Sequence, residues 1–96
     1  FMVPRILDRD HNHLAPELYL PLTGPHGWRF DLGPWQELKA GSVIWNTPKL
    51  PHAMRVYDVP FLAIYSWPRD INNKCRVVHA DDWGDIERTL LSPAQA

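Results

Sequence analysis

His11-Asn12-His13-Leu14-Ala15-Pro16-Glu17-Leu18-Tyr19-Leu20-Pro21-Leu22-Thr23-Gly24 is the stretch on which the fold turns. Side chains alternate faces along an extended chain, so the odd positions His11, His13, Glu17 and Tyr19 are expected to project from one side of a single strand. Two imidazoles, a carboxylate and a phenol would then share a wall. Imidazole and carboxylate together suit a divalent transition metal such as zinc, iron, manganese or nickel, with coordination positions left open for a substrate.

Working outward, ten prolines and five glycines cut the chain into short pieces, and no long amphipathic helical pattern survives before the last fifteen residues. The body reads all-β, with strands expected at 3–7, 17–22, 27–32, 42–46, 52–57, 61–67 and 74–78. Short strands at such regular spacing indicate a sandwich or barrel. The runs 23–27 and 31–34 read as hairpin connections. Asp81 and Asp82 precede Trp83, Ile86, Leu90 and Leu91 at helical spacing, which predicts one packing helix that ends before Pro93.

Composition narrows the function classes. A chain of 96 residues, 45% of them apolar, supports one domain with one modest core, read as residues 1–96. Because Phe1 is not an initiator, an upstream segment is left open. A net charge of -1 and a pI near 6.6 offer nucleic acid and anionic membranes no basic surface. The lone Cys75 cannot form an internal disulfide and is expected to be a plain buried or half-buried thiol. With neither a signal peptide nor a spanning apolar run, the expected location is the cytoplasm. Pairing of exposed strand edges makes a homodimer the expected assembly.

The first stretch spells HxH(x3)E(x6)G, and Gly41 is followed eleven residues later by His52, with Pro48 and Pro51 between. This resembles the two-motif signature of the cupin superfamily. The resemblance implies a small double-stranded β-helix (jelly-roll) barrel with a short C-terminal helix here, and a metal held by His11, His13, Glu17 and His52. Three positions depart from the pattern: Lys49 and Arg5 stand where the family has glycines, and Val56 where it has an asparagine. His26 and His79 match nothing and are expected in loops or at the surface.

The run 17–24, then Trp28-Arg29, Pro34-Trp35, Pro51-His52-Ala53-Met54-Arg55 and Pro60-Phe61-Leu62-Ala63-Ile64-Tyr65-Ser66-Trp67, is similar to the cupin-type dimethylsulfoniopropionate lyases. That resemblance implies cleavage of a small-molecule sulfonium substrate to dimethyl sulfide and acrylate by β-elimination. Tyr19 is then the candidate base, its ordinary pKa of about 10 needing a nearby cation to bring it down. Tyr65 is a candidate second proton carrier. Trp28, Trp45 and Trp67 offer faces for a sulfonium, worth about 2 kcal/mol where desolvated, and Met54 is apolar lining. Two other classes stay open: a cupin of different activity, such as a dioxygenase or isomerase, and a non-catalytic metal or small-molecule sensing domain. An open coordination position separates an enzyme from a closed structural site.

Overall fold

The structure is a computed structural model and describes residues 1–69, 72 and 74–91. Among these residues eight strands and one helix follow in order: β1 Leu7–Asn12, β2 Glu17–Pro21, β3 His26–Phe30, β4 Gln36–Leu38, β5 Ile44–Asn46, β6 His52–Arg55, β7 Ala63–Ser66, β8 Arg76–Val77 and α1 Trp83–Leu91. They form two antiparallel sheets, a larger one in the order β4-β3-β6-β1-β8 and a smaller one in the order β5-β2-β7.

The first strand differs from its expected place. It runs over Leu7–Asn12 rather than 3–7, because Leu14-Ala15-Pro16 carries the chain from the larger sheet to the smaller before Glu17. Proline has no N–H to continue a ladder, so a break there is natural. His11 therefore lies on β1, Glu17 and Tyr19 lie on β2, and the four residues do not share a strand. The wall they were expected to form is instead two walls of one cavity.

Alternation holds within each piece, with one interruption that matters. Asp8 pairs with Met54 and His11 with His52, so three residues of β1 span two of β6, the signature of a bulge. The extra residue shifts the phase of β1. Asp8 and His11 consequently face the same side as Met54 and His52, while Leu7 and Asp10 face the other.

The two inner faces meet in a core of Trp28, Ile44, Met54, Val56 and Phe61, with Tyr19, Phe30 and Leu38 packed against it. On the outer face of the larger sheet lies α1. Nine residues are too few for a helix to stand alone in water, so its stability comes from packing. Ile86 and Leu90 bury against Leu7, Trp35, Tyr57 and Trp83, each such side chain contributing roughly 1.5–3 kcal/mol. Leu91 points out and is exposed, and Pro93 lies outside the described residues.

A buried charge network locks the helix in place. Arg29 donates to both oxygens of Asp10, at 2.9 and 2.5 Å, and to both oxygens of Asp82, at 2.6 and 2.9 Å. Trp83 Nε1 donates to Asp10 at 2.8 Å. Burial pushes the Asp10 carboxyl up, but the Arg29 and Trp83 donors outweigh it and hold it below the usual carboxylate range.

The connection after β3 is the expected hairpin, with Asp31 and Leu32 both in the left-handed region (φ 54° and 57°) and Gly33 N–H donating to Phe30 O at 2.9 Å. The run 23–27 is a crossover between sheets instead, since β2 and β3 belong to different ones. His26 opens β3 fully buried, against Phe61, with Thr23 Oγ1 3.1 Å from its Nε2. Burial also holds its pKa below the ordinary value, so His26 is a core residue and not a surface one. His79 is exposed as expected, whereas Cys75 is exposed rather than buried.

The glycine positions filled by other residues keep a glycine-like backbone: Arg5 and Lys49 have φ of 63° and 67°. Among the described residues no helix is long and apolar enough to cross a membrane.

Candidate metal centre

His11 and His52 face each other across the β1–β6 ladder, and His13 follows just beyond the end of β1. Their rings converge, with centroids 4.4 Å apart for His11 and His52, 5.0 Å for His13 and His52, and 6.1 Å for His11 and His13. One ligand atom from each lies within 4.8 Å of the others, a group able to hold a metal ion.

Each ring is oriented the same way. Nδ1 of His11 meets Arg9 O at 2.7 Å, Nδ1 of His13 meets Ala15 O at 2.7 Å, and Nδ1 of His52 meets Leu50 O at 3.4 Å. A ring whose Nδ1 donates to a carbonyl leaves Nε2 as the lone-pair nitrogen for a metal. In each case the carbonyl belongs to a residue two positions away, so the local backbone sets the tautomer.

Glu17 enters from the opposite sheet. Its Oε1 lies 3.5 Å from His13 Nε2 and 3.6 Å from His52 Nε2. Metal–ligand bonds of about 2.0–2.2 Å would bring one ion within reach of all three atoms. Asn46 Nδ2 donates to Oε1 at 3.1 Å and Trp67 Nε1 to Oε2 at 2.6 Å, which fixes the carboxylate plane. His52 Nε2 is buried without a hydrogen-bond partner, an arrangement that costs free energy unless something else occupies its lone pair. Burial, reinforced by His11, lowers the His52 pKa to about 4, so the ring is neutral and able to coordinate at neutral pH. The donors present fit a divalent first-row transition ion.

Tyr19 stands two residues along β2 from Glu17 and on the same side, its ring 5.3 Å from Trp28 and 5.9 Å from Tyr65. Burial, then the Glu17 and Asp8 carboxylates, push its phenol well above the ordinary value. Ionising it at neutral pH therefore needs a compensating positive charge nearby. Tyr65 is paired directly with Tyr19 and is 64% exposed, placing it at the rim.

The structure separates the three tryptophans. Trp28 is packed in the core between Tyr19 and Phe61, beside Met54, which is equally buried. Trp45 sits between inward-facing Ile44 and Asn46 and so points outward, half exposed, away from the cavity. Trp67 lies over His13 at 4.7 Å and anchors Glu17 by its ring nitrogen. Its edge serves the carboxylate. Arg55 faces outward, stacked over Trp35 at 4.4 Å and bonded to Tyr57 and Glu37.

Two residues of the cavity were not singled out from the sequence. Asn46 lies buried in the middle of the chain with nothing to mark its Glu17 contact, and Asp8, which plain alternation sets on the face opposite His11, is turned inward by the bulge. Asp8 lines an opening of about 420 Å³ beside His11 and Cys75.

Paired antiparallel sheets enclosing converging imidazoles and a carboxylate define a cupin able to bind a metal. The chain belongs to the dimethylsulfoniopropionate lyase family, whose sequence model matches residues 1–63. It is 34% identical over 61 residues to the dimethylsulfoniopropionate lyase DddQ of Ruegeria pomeroyi, a match over 64% of this chain and 30% of that protein. The crystal structure of the same DddQ superposes with a TM-score of 0.69 at 28% identity, covering 78% of this chain and 38% of the other. The chain thus spans about a third of the length of the relatives it matches.

Proposed function

We propose that this protein cleaves dimethylsulfoniopropionate to dimethyl sulfide and acrylate by β-elimination, at a divalent transition ion held by His11, His13, Glu17 and His52. The observation that carries the reading is the convergence of three tautomer-fixed imidazoles on Glu17, with Tyr19 next along the same inner face. Family membership and the fold shared with DddQ support the choice of substrate.

A bound divalent ion supplies Lewis acidity to the substrate carboxylate and positive charge beside the phenol. The chain's own groups do the rest. Tyr19 takes the proton next to the carboxylate as the sulfonium departs from the neighbouring carbon, which forms the double bond of acrylate. Tyr65 at the rim passes that proton to solvent. Trp28 and Phe61 pack against the Tyr19 ring at 5.3 and 6.0 Å and restrict its orientation. Trp67 covers the ring of His13, which is buried. A homodimer belongs to the same reading, supported by the exposed apolar residues Leu18, Leu20, Trp45 and Ile64 on the outside of the smaller sheet.

The test is dimethyl sulfide release by the metal-loaded protein and by Tyr19→Phe. Release that falls by on the order of 10²-fold or more in the variant, at unchanged metal content, is expected. A metal-loaded protein that releases none rejects the lyase, and release unaffected by Tyr19→Phe rejects the base.

A further inference from the structure

Two carboxylates face the cavity, and only one of them is bonded. Glu17 accepts from Asn46 and Trp67. Asp8 is turned to the same interior by the bulge, paired with Met54 as His11 is with His52, and its carboxylate accepts no hydrogen bond from any described residue. His11 Nδ1 lies 3.8 Å away and is already committed to Arg9 O at 2.7 Å. The neighbouring cation, Arg9, points away to Glu87 and the Trp83 ring on the outer face.

Six acids elsewhere have guanidinium partners: Asp10 and Asp82 share Arg29, Glu37 holds Arg55, Asp58 holds Arg5, Asp85 holds Arg88 and Glu87 holds Arg9. Asp8 is an acid on the cavity wall without one. Its side chain is 42% exposed, so a small molecule can reach it. The aromatic faces expected to take a cation are mostly committed, Trp28 to the core and Trp45 to the outside.

We infer that Asp8 is the counter-charge for the cationic end of the substrate, and that it makes the site prefer an onium-bearing carboxylate over a neutral one of the same shape. This rests on the reading that a substrate carboxylate is held at the His11, His13, Glu17 and His52 centre. One end of a short zwitterion then sits at the histidines while the other lies against the wall that Asp8 shares with His11. A partly solvated charge pair of this kind is worth on the order of tenfold in affinity.

The experiment uses the metal-loaded protein and two matched ligands, 3-(trimethylammonio)propanoate and 4,4-dimethylpentanoate, the carboxylate in which a neutral tert-butyl tail replaces the cationic head, with binding read by calorimetry. The wild type is expected to bind the cationic ligand about tenfold more tightly. Asp8→Asn should bring the ratio near one without weakening the binding of 4,4-dimethylpentanoate, and Asp8→Glu should keep the preference. Should Asp8→Asn not fold or not hold metal, Asp8→Ser replaces it. Equal affinity of the wild type for both ligands, a ratio unchanged in Asp8→Asn, or binding of neither ligand overturns the inference. Binding is read apart from turnover. An Asp8-dependent preference without dimethyl sulfide release rejects the lyase and keeps this assignment, whereas release with no such preference does the reverse.

Discussion

Trp67 Nε1 donates to Glu17 Oε2 at 2.6 Å across fifty residues of chain, so the carboxylate at the histidine cluster is positioned from beyond the far end of β7. Hydrogen bonds to a ligating carboxylate fix its orientation, and losing one typically costs 10–100-fold in metal affinity. Trp67→Phe keeps the ring over His13 and removes only the donor. Metal titration should show affinity reduced by about tenfold or more with the fold retained; unchanged affinity would remove Trp67 from the centre.

The Asp10–Arg29–Asp82 network makes a stability prediction. Asp10→Ala leaves Arg29 buried with a single partner and also strips Trp83 Nε1 of its acceptor. Breaking a buried ion pair from one side costs roughly 3–5 kcal/mol. Because Asp82 remains, the low end is expected: about 3 kcal/mol by urea unfolding, with α1 detaching first in hydrogen exchange. A loss below about 1 kcal/mol would show that the network does not hold the helix.

Acid should destabilise the metal-free protein through His52. Its folded pKa of about 4 lies below the ordinary 6.5, so the unfolded chain takes the proton first. The stability it contributes is present above pH 6.5 and is lost as pH falls toward 4. The gap sets an upper size of about 3 kcal/mol. Urea midpoints of the stripped protein between pH 8 and 5 should fall, and His52→Gln should flatten that slope. A slope identical in both proteins would contradict the assignment.

Lys49 and Arg5 make a contrasting pair. Both have positive φ, which costs a residue with a Cβ roughly 1–2 kcal/mol. Glycine relieves this at an entropic cost of about 0.5–1 kcal/mol. The bonds Lys49 makes use only its backbone: its N–H donates to His13 O at 2.8 Å and its carbonyl accepts from Asn12 at 3.0 Å. Lys49→Gly keeps both and should raise the melting temperature by a few degrees. The Arg5 side chain bonds Asp58 and Leu90 O, so Arg5→Gly should gain nothing or lose stability. Calorimetry of the two variants decides it.

Residue type and interval made the three histidines and Glu17 legible, because a metal centre needs few donor types and a closed double sheet fixes their spacing. Assignment of those residues to strands was not legible in the same way. Leu14-Ala15-Pro16 is apolar and short, and only three dimensions show that it changes sheets. The chain also carries no local mark of the bulge that turns Asp8 inward. At Trp45 both faces of the strand are apolar, so alternation could not say which side is in. The three residues of β4, two of them exposed, have no pattern to detect. The Asp10–Arg29 pair joins β1 to β3 across nineteen positions and exists only once the sheet has formed.

The inserted residue in β1 also constrains how this protein can vary in length. Deleting one residue at position 9 or 10 would restore regular alternation and, in the same stroke, turn either the Asp8 and Leu7 segment or the His11 and His13 segment inside out. Insertions and deletions are tolerated in the connections between strands, but here a single codon decides whether the outer ion network and the inner histidines can exist together. Counting residues between Leu7 and His11 is therefore a quick criterion for which homologous sequences can build this cavity at all.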